Sequence, residues 1–472
     1  MLIASITQPT IEAILKEIEQ ARPYADAIEV RLDFLQEEQF QRLGELFRGL
    51  PLLFTFRKEG QGGVRSLPES RRLALIEKAL EFLPAYCDLE ADTDPAAIER
   101  IAKKFPSVQL IGSTHNFEET PEDLPALLQK MKNPHFSFYK IALRAHSTID
   151  MLRLMAFARE HAEKTPLCCI SMGPEGKPSR ILGPIVGNAF NYSGVEEDSS
   201  LHRPSLSTLC EIYHFRKLNR ETELYALLGD PVEQSVGDIY HNEQFRKDQR
   251  NAVYVKLRLR PEELSAFFQI MPRLPFRGFS VTMPLKEAIV PFLSGIDPKA
   301  RDIGAVNTLR IGEEISGTNT DAAGALNAIA KHIPVNNLRV AILGAGGSAK
   351  AIAHEARSRG AHVVLFNRTL EKARSLGFEA YGLSDLPNHS YDLLINTIPA
   401  EIPASLIPGT FVMDIVYVPK VTPLLAAAQA AGCRVIYGEE MFFEQARLQQ
   451  LYWFIPLVIE DPVLPASNSH RL

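Results

Sequence analysis

Short apolar runs alternate with helix-like stretches along roughly the first 215 residues. Runs of strand length that are rich in Val, Ile, Leu and Phe and separated by helices indicate a parallel sheet covered on both faces. The eight runs are LIASI (2–6), AIEVRLD (27–33), LLFTFR (52–57), YCDLE (86–90), VQLIGSTH (108–115), FYKIAL (138–143), LCCISM (167–172) and AFNYSG (189–194). Eight strand–helix units in this length predict a (β/α)8 barrel over residues 1–217.

The pattern changes near residue 220, where a short polar linker, LNRETE (218–223), precedes a new apolar run, LYALLGDPV. Farther on, residues 338–372 contain a strand, a glycine-rich turn, a helix and a second strand. This order predicts a Rossmann nucleotide-binding lobe at 325–438. The segment 222–324 would then form a second lobe. The whole chain is therefore predicted to be α/β.

The glycine-rich turn has the residues that a dinucleotide requires. Gly344 allows a tight turn, Gly346 lets the backbone approach a pyrophosphate, and Ala349 lets the following helix pack closely with its N–H groups towards the phosphates. NAD-binding units usually end their second strand with Asp or Glu, whereas this chain has NRT (367–369). A guanidinium there suits a 2′-phosphate, so the sequence predicts NADP. The predicted cofactor-binding residues are Gly344, Ala345, Gly346, Gly347, Ser348, Ala349, Asn367, Arg368, Thr369 and Gly438.

Composition narrows the choice of partners. A net charge of −6 and the lack of a basic run argue against a nucleic-acid-binding protein. The apolar runs are shorter than the roughly 18 residues that a membrane span needs, and the first residues have no targeting pattern, so we expect a cytoplasmic protein. Five cysteines without CxxC spacing predict reduced thiols and no metal site. We therefore expect small-molecule substrates, with neither nucleic acid nor membrane as a partner.

Charged side chains gather at the predicted carboxyl ends of the barrel strands, where barrel enzymes place their chemistry. Lys140 lies among apolar neighbours in FYKIAL. Inside a barrel, desolvation and nearby arginines favour the free amine, which can form a Schiff base with a ketone. His115 can transfer protons, with Glu59 to orient it. Each of these residues alone could be structural, but their shared position favours function. The other candidates at this rim are Glu29, Arg31, Arg57 and Arg180.

Over residues 1–215, the segments EVRLDFL, LFTFRKEGQGG, STHNF, YKIAL and SMGPEGKPSRILG resemble the type I 3-dehydroquinate dehydratases. The resemblance implies that Lys140 forms an imine with the C3 ketone, that His115 is the general acid/base, and that Glu59 pairs with it. It also implies substrate binding by Glu29, Arg31, Arg57 and Arg180. The family usually has a Ser-x-Pro-Gly-Gln loop after strand eight. This chain has SSLHRPSLS (199–207), from which no residue is assigned.

In the second half, several strand ends are followed by polar residues. These segments are GDPVEQSVGDIYHNEQF (229–245), FSVTMPLKE (279–287), GAVNTL (304–309) and GTNTDAAG (317–324). Their hydroxyls, amides, lysine and carboxylate suit a small polyhydroxylated acid. Taken singly, the same residues could instead form turns or a helix N-cap, with Asp321 near the macrodipole.

Residues 222–472 resemble the shikimate dehydrogenases, through these segments and through GAGGSAKA, NRT, INTIP (395–399), DIVYVPKVTPLL (414–425) and GEEMFFEQA (438–446). The resemblance implies a catalytic pair, Lys286 and Asp321, at the carbonyl that receives hydride. The residues implied to bind the substrate are Ser235, Thr282, Asn307, Tyr417 and Gln445. The resemblance also implies that a C-terminal helix carrying Gln445 returns to the lobe 222–324, so that residues 439–472 complete it. The predicted function is thus dehydration of 3-dehydroquinate followed by NADPH-dependent reduction to shikimate.

One departure leaves alternatives open. The family usually reads Pro-x-x-His-Ser-x-Ser-Pro, whereas Gln234, Gly237 and Asp238 replace the histidine, the second serine and the proline here. Loss of that hydroxyl costs about 1.5–3 kcal/mol of carboxylate binding and should make room beside C1 of the substrate. A quinate/shikimate dehydrogenase is therefore a second hypothesis. A catalytically silent metabolite-sensing regulator is a third, although Lys140 and Asp321 are retained.

Overall fold

The computed structural model describes residues 1–197, 202–398 and 406–454, and the chain forms two compact units, residues 1–292 and 293–472. Their boundary falls inside the predicted lobe 222–324, and the three-part division proposed from the sequence stays a prediction. Part of the predicted C-terminal segment, residues 455–472, lies outside the described residues, as do residue 399 of INTIP and residues 199–201 of the altered loop.

The first unit begins with eight strands in the order β7-β6-β5-β4-β3-β2-β1-β8, and all neighbouring pairs are parallel. Beside β8, the backbone N–H of Ala189 donates to the carbonyl of Leu167 at 2.7 Å, which brings the two edges together. The predicted barrel is confirmed. Its strands are β1 (Leu2–Ile6), β2 (Ala27–Arg31), β3 (Leu52–Thr55), β4 (Tyr86–Glu90), β5 (Gln109–Asn116), β6 (Phe136–Arg144), β7 (Leu167–Met172) and β8 (Asn191–Ser193).

Helices connect these strands, and several begin with a side-chain cap. The Thr10 hydroxyl accepts from the third residue of α1, and Ser147 with Asp150 forms a capping box on α5. A 3-10 helix, Glu37–Leu46, takes the place of an α-helix after β2. The α-helices are α1 (Ile11–Ala21), α2 (Glu69–Leu80), α3 (Pro95–Lys104), α4 (Leu124–Met131), α5 (Thr148–His161) and α6 (Ser179–Val186).

The barrel interior is layered because side chains alternate along each strand. Ile3, Ala27, Leu53 and Ile111 belong to one buried apolar cluster. Two residues farther along the same strands, the side chains are polar and also buried: Ser5, Glu29, Thr55 and Ser113. The chain thus places an apolar floor beneath a polar layer near the carboxyl ends of the strands.

The first unit continues with three parallel strands in the order β10-β9-β11. They are β9 (Glu223–Gly229), β10 (Ala252–Arg258) and β11 (Phe276–Val281), with helices α7 (Gly237–Lys247), α8 (Leu264–Ile270) and α9 (Leu285–Ala288). The Tyr213 hydroxyl, just after the barrel, donates to Asp238 of α7 at 2.7 Å, and Arg273 pairs with Glu160 of α5 at 2.7 Å. These contacts join the barrel to the three-stranded segment within the unit.

The second unit begins with three short strands, β12 (Gly295–Ile296), β13 (Thr308–Ile311) and β14 (Ile315–Thr318), and with helices α10 (Pro298–Ile303) and α11 (Asp321–Ala330). Strand β14 pairs antiparallel with β13 and parallel with β12. The long C-terminal helix α15 (Gly438–Phe454) packs against α11. Its Trp453 indole donates to the Leu309 carbonyl at 2.9 Å, which returns the end of the chain to β13.

A six-stranded parallel sheet follows in the order β17-β16-β15-β18-β19-β20, the 3-2-1-4-5-6 order of a Rossmann fold. Val340 and Ile342 face one buried cluster and Ala341 and Leu343 the other, so both faces are covered. The strands are β15 (Arg339–Leu343), β16 (His362–Phe366), β17 (Glu379–Tyr381), β18 (Leu393–Asn396), β19 (Phe411–Asp414) and β20 (Arg434–Ile436). The helices are α12 (Gly347–Ser358), α13 (Leu370–Arg374) and α14 (Pro423–Ala430).

In the described ranges, no helix combines the length and apolar character needed to cross a membrane. The same residues contain no group of three or more His, Cys, Asp or Glu side chains placed to hold a metal ion.

Candidate active sites

The carboxyl ends of the barrel strands surround a cavity of about 490 Å³. Its walls include most of the barrel residues selected from the sequence, so the structure brings them together. Those residues are Glu29, Arg31, Arg57, His115, Lys140 and Arg180.

Lys140 lies in the middle of β6, and only 5% of the residue is exposed. Its Nζ is 3.3 Å from Asp88 Oδ2 and 3.6 Å from Glu29 Oε1. The Tyr192 ring lies below, with its centroid 4.0 Å from Nζ. Nζ therefore lies between two carboxylates and an aromatic face, an arrangement that suits the positive charge of a protonated imine formed at this nitrogen.

Asp88 is held in place by Arg57, which was predicted to bind substrate. The Arg57 guanidinium donates to both Asp88 oxygens, and also to Glu90 at 3.0 Å and Ser113 at 2.6 Å. Burial alone would raise the pKa of Asp88, but the charges of Arg57 and Lys140 lower it. Arg57 therefore keeps the carboxylate beside Lys140 ionised, a role that the sequence did not predict.

Glu29 and Arg31, on β2, are similarly fixed. Glu29 accepts hydrogen bonds from Thr55 at 2.9 Å and from Ser5. Burial would raise the pKa of Glu29, yet Lys140 and Arg31 lower it. Arg31 makes a bidentate ion pair with Asp33 and also lines the cavity.

The structure corrects the predicted partner of His115. Glu59 is exposed and is not among the residues that line the cavity, whereas Gln61 is. The Gln61 Oε1 atom accepts from the His115 backbone N–H at 2.9 Å and lies 3.4 Å from Nδ1 of the ring. The reason is local: Glu59 begins a 3-10 turn, Glu59–Gln61, and only the last residue of that turn reaches the cavity.

Arg180, in the first turn of α6, donates to the Tyr192 carbonyl at 2.9 Å. Burial and the charge of Arg203 lower its pKa to about 10. Arg203 also lines the cavity, so two guanidiniums lie near one another in its wall. A substrate carboxylate placed there would offset their mutual repulsion.

The residues predicted for the second reaction fall in both compact units. In the first unit, Ser235 accepts from the Gly237 N–H at 3.1 Å, and Lys256 bonds to the Ser235 carbonyl at 2.6 Å and to Asp238 at 3.1 Å. Thr282 follows β11 and donates through its backbone to Leu228 at 2.8 Å. Lys286, on the short helix α9, is half-buried.

In the second unit, Asn307 and Asp321 lie together. The Asn307 amide donates to Asp321 Oδ1 at 2.8 Å and to Thr320 Oγ1 at 3.0 Å, while its oxygen accepts from the Thr320 N–H. Asp321 is the first residue of α11, where its charge complements the helix dipole. Gln445 of α15 reaches the same cluster, since Thr320 Oγ1 lies 3.5 Å from its Oε1. Three predicted residues are thus brought together: Asn307, Asp321 and Gln445.

The turn after β15 leaves room for a dinucleotide. Gly344 has a φ of +117°, and a Cβ there would lie 2.5 Å from Thr397 Oγ1. Side-chain positions at Gly346 and Gly347 would meet nothing within 4 Å, so the N-terminus of α12 is open. Ala345 and Ala349 are buried, and Ser348 is half-buried. These features fit a pyrophosphate at the helix terminus.

The other residues predicted for the second half's cofactor and substrate lie at the end of β16 and around the start of α15. Asn367 donates to the Thr369 carbonyl at 2.8 Å, and Arg368 is exposed with no carboxylate preceding it at the strand end. Tyr417 lies against Phe442, with ring centroids 5.3 Å apart. A Cβ at Gly438 would lie 2.6 Å from the Val416 carbonyl, so only glycine fits this close approach.

Comparisons with known proteins find relatives of both halves of the chain. Residues 2–220 match the family model for type I 3-dehydroquinase, and residues 227–309 match the shikimate dehydrogenase substrate binding domain. The shikimate biosynthesis protein AroDE of Chlamydia pneumoniae is 34% identical over 465 residues, which cover 96% of this chain and 95% of that protein. The chain belongs to the AroDE family.

Two further relatives extend the comparison beyond the chlamydial AroDE proteins. The bifunctional 3-dehydroquinate dehydratase/shikimate dehydrogenase of Arabidopsis thaliana is 32% identical. The match covers 96% of this chain and 84% of the length of that protein. The shikimate dehydrogenase (NADP(+)) of Pyrococcus furiosus is 37% identical over 250 residues. This match covers 50% of this chain and 92% of the length of that protein.

Three residues of this AroDE chain were missed by sequence reasoning. Asp88 could have been found from alternation, because it faces the interior two residues after Tyr86. Gln61 could be predicted only from the length of the turn after Arg57, because that length decides which residue faces His115. Arg203 lies in the loop 199–207, which lacks the glutamine of the family and therefore offers no residue by resemblance, although a guanidinium can also bind a carboxylate.

Proposed function

We propose that this AroDE chain dehydrates 3-dehydroquinate to 3-dehydroshikimate in its barrel and reduces that product to shikimate with NADPH in its second half. The observation that carries the proposal is Lys140, a buried amine between two carboxylates in the barrel cavity. The names of relatives that match nearly the whole chain support both activities. Five free cysteines fit a reducing compartment, so we place the enzyme in the cytoplasm.

In the barrel, the Lys140 amine attacks the C3 ketone, and the ketone oxygen leaves as water when the imine forms. Asp88 and Glu29 stabilise the charge of the protonated imine. His115 removes a proton from C2, the electron pair moves towards the imine, and the C1 hydroxyl then leaves as water with a proton from His115. Hydrolysis of the imine releases 3-dehydroshikimate and restores the Lys140 amine.

The substrate carboxylate binds at the two guanidiniums of the cavity wall, Arg180 and Arg203. Because Arg180 is buried beside a second positive charge, an anion gains more there than at an exposed arginine. Arg31 lines the cavity while paired with Asp33, and Arg57 acts through the carboxylate that it holds, Asp88.

In the second reaction, NADPH held at this site would supply hydride to the ketone carbon. Lys286 and Asp321 supply and relay the proton that the carbonyl oxygen gains, and Asn307 orients the Asp321 carboxylate. The residues proposed to hold the hydroxyls and carboxylate of the substrate are Ser235, Thr282, Asn307, Tyr417 and Gln445. Arg368, with Asn367 and Thr369, would hold the 2′-phosphate of NADP, and the open turn from Gly344 to Ala349 would hold the pyrophosphate.

Quinate oxidation is the second candidate, because Gly237 replaces a serine that would bind the carboxylate. A side chain at position 237 would have little room. A Cβ at Gly237 would lie 3.2 Å from Ser235 Oγ and 3.4 Å from the Tyr254 ring.

Two assays test the two halves separately. Borohydride added with 3-dehydroquinate should attach the reduced ligand to Lys140, as located by peptide mass spectrometry, and Lys140→Ala should abolish labelling. NADP reduction should proceed with shikimate and be slower with quinate. Labelling that survives Lys140→Ala would place the nucleophile elsewhere, and faster turnover of quinate would favour the second candidate.

A further inference from the structure

The Gln61 side chain faces His115 in the barrel cavity, where the family resemblance had suggested an acid. Its Oε1 accepts from the His115 backbone N–H at 2.9 Å and lies 3.4 Å from Nδ1 of the imidazole. A backbone N–H is always a donor, so the amide atom opposite it must be the oxygen. The orientation of the Gln61 amide therefore follows from the hydrogen bond itself.

The same oxygen determines which imidazole nitrogen carries the proton. An amide oxygen only accepts hydrogen bonds, so a neutral His115 satisfies it by carrying its proton on Nδ1. Nε2 then keeps its lone pair. We propose that Gln61 is a positioning residue that holds His115 as the Nδ1–H tautomer and leaves Nε2 as the base of the dehydration. This inference rests on the proposed dehydratase function.

The turn that carries Gln61 is held from several sides. Gly62 has a φ of +89°, and a Cβ there would lie 2.6 Å from the Phe117 ring. The Gly62 carbonyl accepts from Arg31 at 3.0 Å, and the Gly63 N–H donates to the Lys58 carbonyl at 2.8 Å. Such a rigid support is what a group that orients a catalytic imidazole requires.

A neutral partner also affects the charge of the ring. The groups that act on His115 come from four strands: Arg31 from β2, Arg57 after β3, Asp88 from β4 and Lys140 from β6. Burial and the positive charges of Arg57 and Lys140 lower the pKa of His115 well below its usual value, and Asp88 opposes them only in part. The other charged or titratable residues that line the cavity are Glu29, Arg144, Arg180, Tyr192, His202 and Arg203.

A carboxylate at position 61 would stabilise the imidazolium, whereas the Gln61 amide does not. The histidine is thus kept neutral and ready to accept a proton at physiological pH. The replacement Gln61→Glu should therefore raise the apparent pKa of the acidic limb of kcat/KM for dehydration by about one unit or more. Gln61→Ala should lower kcat without raising this apparent pKa. Glu59→Gln, an exposed change in the same turn, is the matched control and should leave the profile unchanged.

The tautomer is measured independently of activity by ¹⁵N NMR of the imidazole in the full chain without substrate. We expect a protonated Nδ1 and an unprotonated Nε2 in the native protein, and mixed tautomers in Gln61→Ala. A proton on Nε2, or an acidic limb that does not move in Gln61→Glu, would overturn the inference. If the chain fails to dehydrate 3-dehydroquinate while Nδ1 is protonated, the proposed function is wrong and the assigned tautomer stands.

Discussion

The Arg57 guanidinium and the Asp88 carboxylate form a bidentate ion pair inside the barrel, with N–O distances of 2.7 and 2.9 Å. Both side chains are almost fully buried, and the pair holds one carboxylate oxygen 3.3 Å from Lys140 Nζ. The geometry at the reactive amine therefore depends on a residue pair that is also part of the barrel interior.

Breaking this pair should cost both stability and activity. Asp88→Asn leaves the buried Arg57 with only part of its compensating charge, so the free energy of unfolding should fall by about 3 kcal/mol. Dehydration should slow because the charge beside Lys140 is lost. Urea unfolding and dehydratase kinetics check both effects. Glu99→Gln, which removes an exposed partner of Lys103, is the control and should leave both unchanged.

The buried carboxylates predict how stability depends on acid. The folded-state pKa values of Asp88 and Glu29 are lowered, so the folded protein binds fewer protons than the unfolded chain in the acidic range. Their stabilisation is complete above the unfolded pKa values of about 4 and is lost as the pH falls through the lowered values. Urea titrations from pH 6 to pH 3 should show stability falling below about pH 4. A weaker fall in Asp88→Asn would confirm the source, and an equal fall would exclude Asp88 as its cause.

Arg203 should contribute to substrate binding. Removing a charge-assisted hydrogen bond of about 1.5–3 kcal/mol predicts a KM for 3-dehydroquinate roughly 10- to 100-fold higher in Arg203→Ala. Oxidation of shikimate should not change. Arg216→Ala removes a half-exposed arginine that pairs with Asp26 and serves as the comparison. Equal KM values in the two variants would remove Arg203 from the site.

Asn307 should act through Asp321. Asn307→Ala removes the amide that donates to Asp321 Oδ1 at 2.8 Å, so the carboxylate loses its fixed orientation. We expect shikimate oxidation to slow by about 100-fold, as for other buried hydrogen bonds to a charge, while dehydration continues normally. Steady-state assays of both reactions check this separation. Asn388→Ala, at an exposed position of the second unit, should affect neither reaction.

The choice of cofactor should depend on Arg368. In Arg368→Ala the 2′-phosphate loses its guanidinium, so KM for NADPH should rise about tenfold or more while that for NADH changes little. The exposed Arg374, in the last turn of α13, provides the control replacement Arg374→Ala. A variant that loses affinity for both cofactors equally would point to a structural role for Arg368.

The barrel and the Rossmann order could be predicted because both follow from periodic features. Strand-length apolar runs predicted the eight parallel strands, and the turn at Gly344 marked the nucleotide-binding sheet. Lys140 could be chosen because it is a lysine among apolar neighbours within a barrel strand, and His115 because it lies at a strand end. In each case a local pattern is sufficient to indicate the position in space.

Other features depended on distances that no local pattern gives. Glu59 and Gln61 are two residues apart, and only the 3-10 turn decides which of them reaches His115. Arg57 is predicted from its position to bind substrate, but the sequence does not indicate its partner Asp88, which is 31 residues away. The effect of Gly237 depended on the neighbouring Tyr254 ring, which the sequence places 17 residues away.

The most direct test of the bifunctional account is NADPH oxidation in the purified chain with 3-dehydroquinate as the only substrate. Both halves must work in sequence for absorbance at the nicotinamide band to fall. We predict steady oxidation with 3-dehydroquinate, and with 3-dehydroshikimate in a parallel assay. In Lys140→Ala only the second substrate should support it. Oxidation with 3-dehydroshikimate alone in the native chain would mean an inactive barrel, and no oxidation with either substrate would contradict the account.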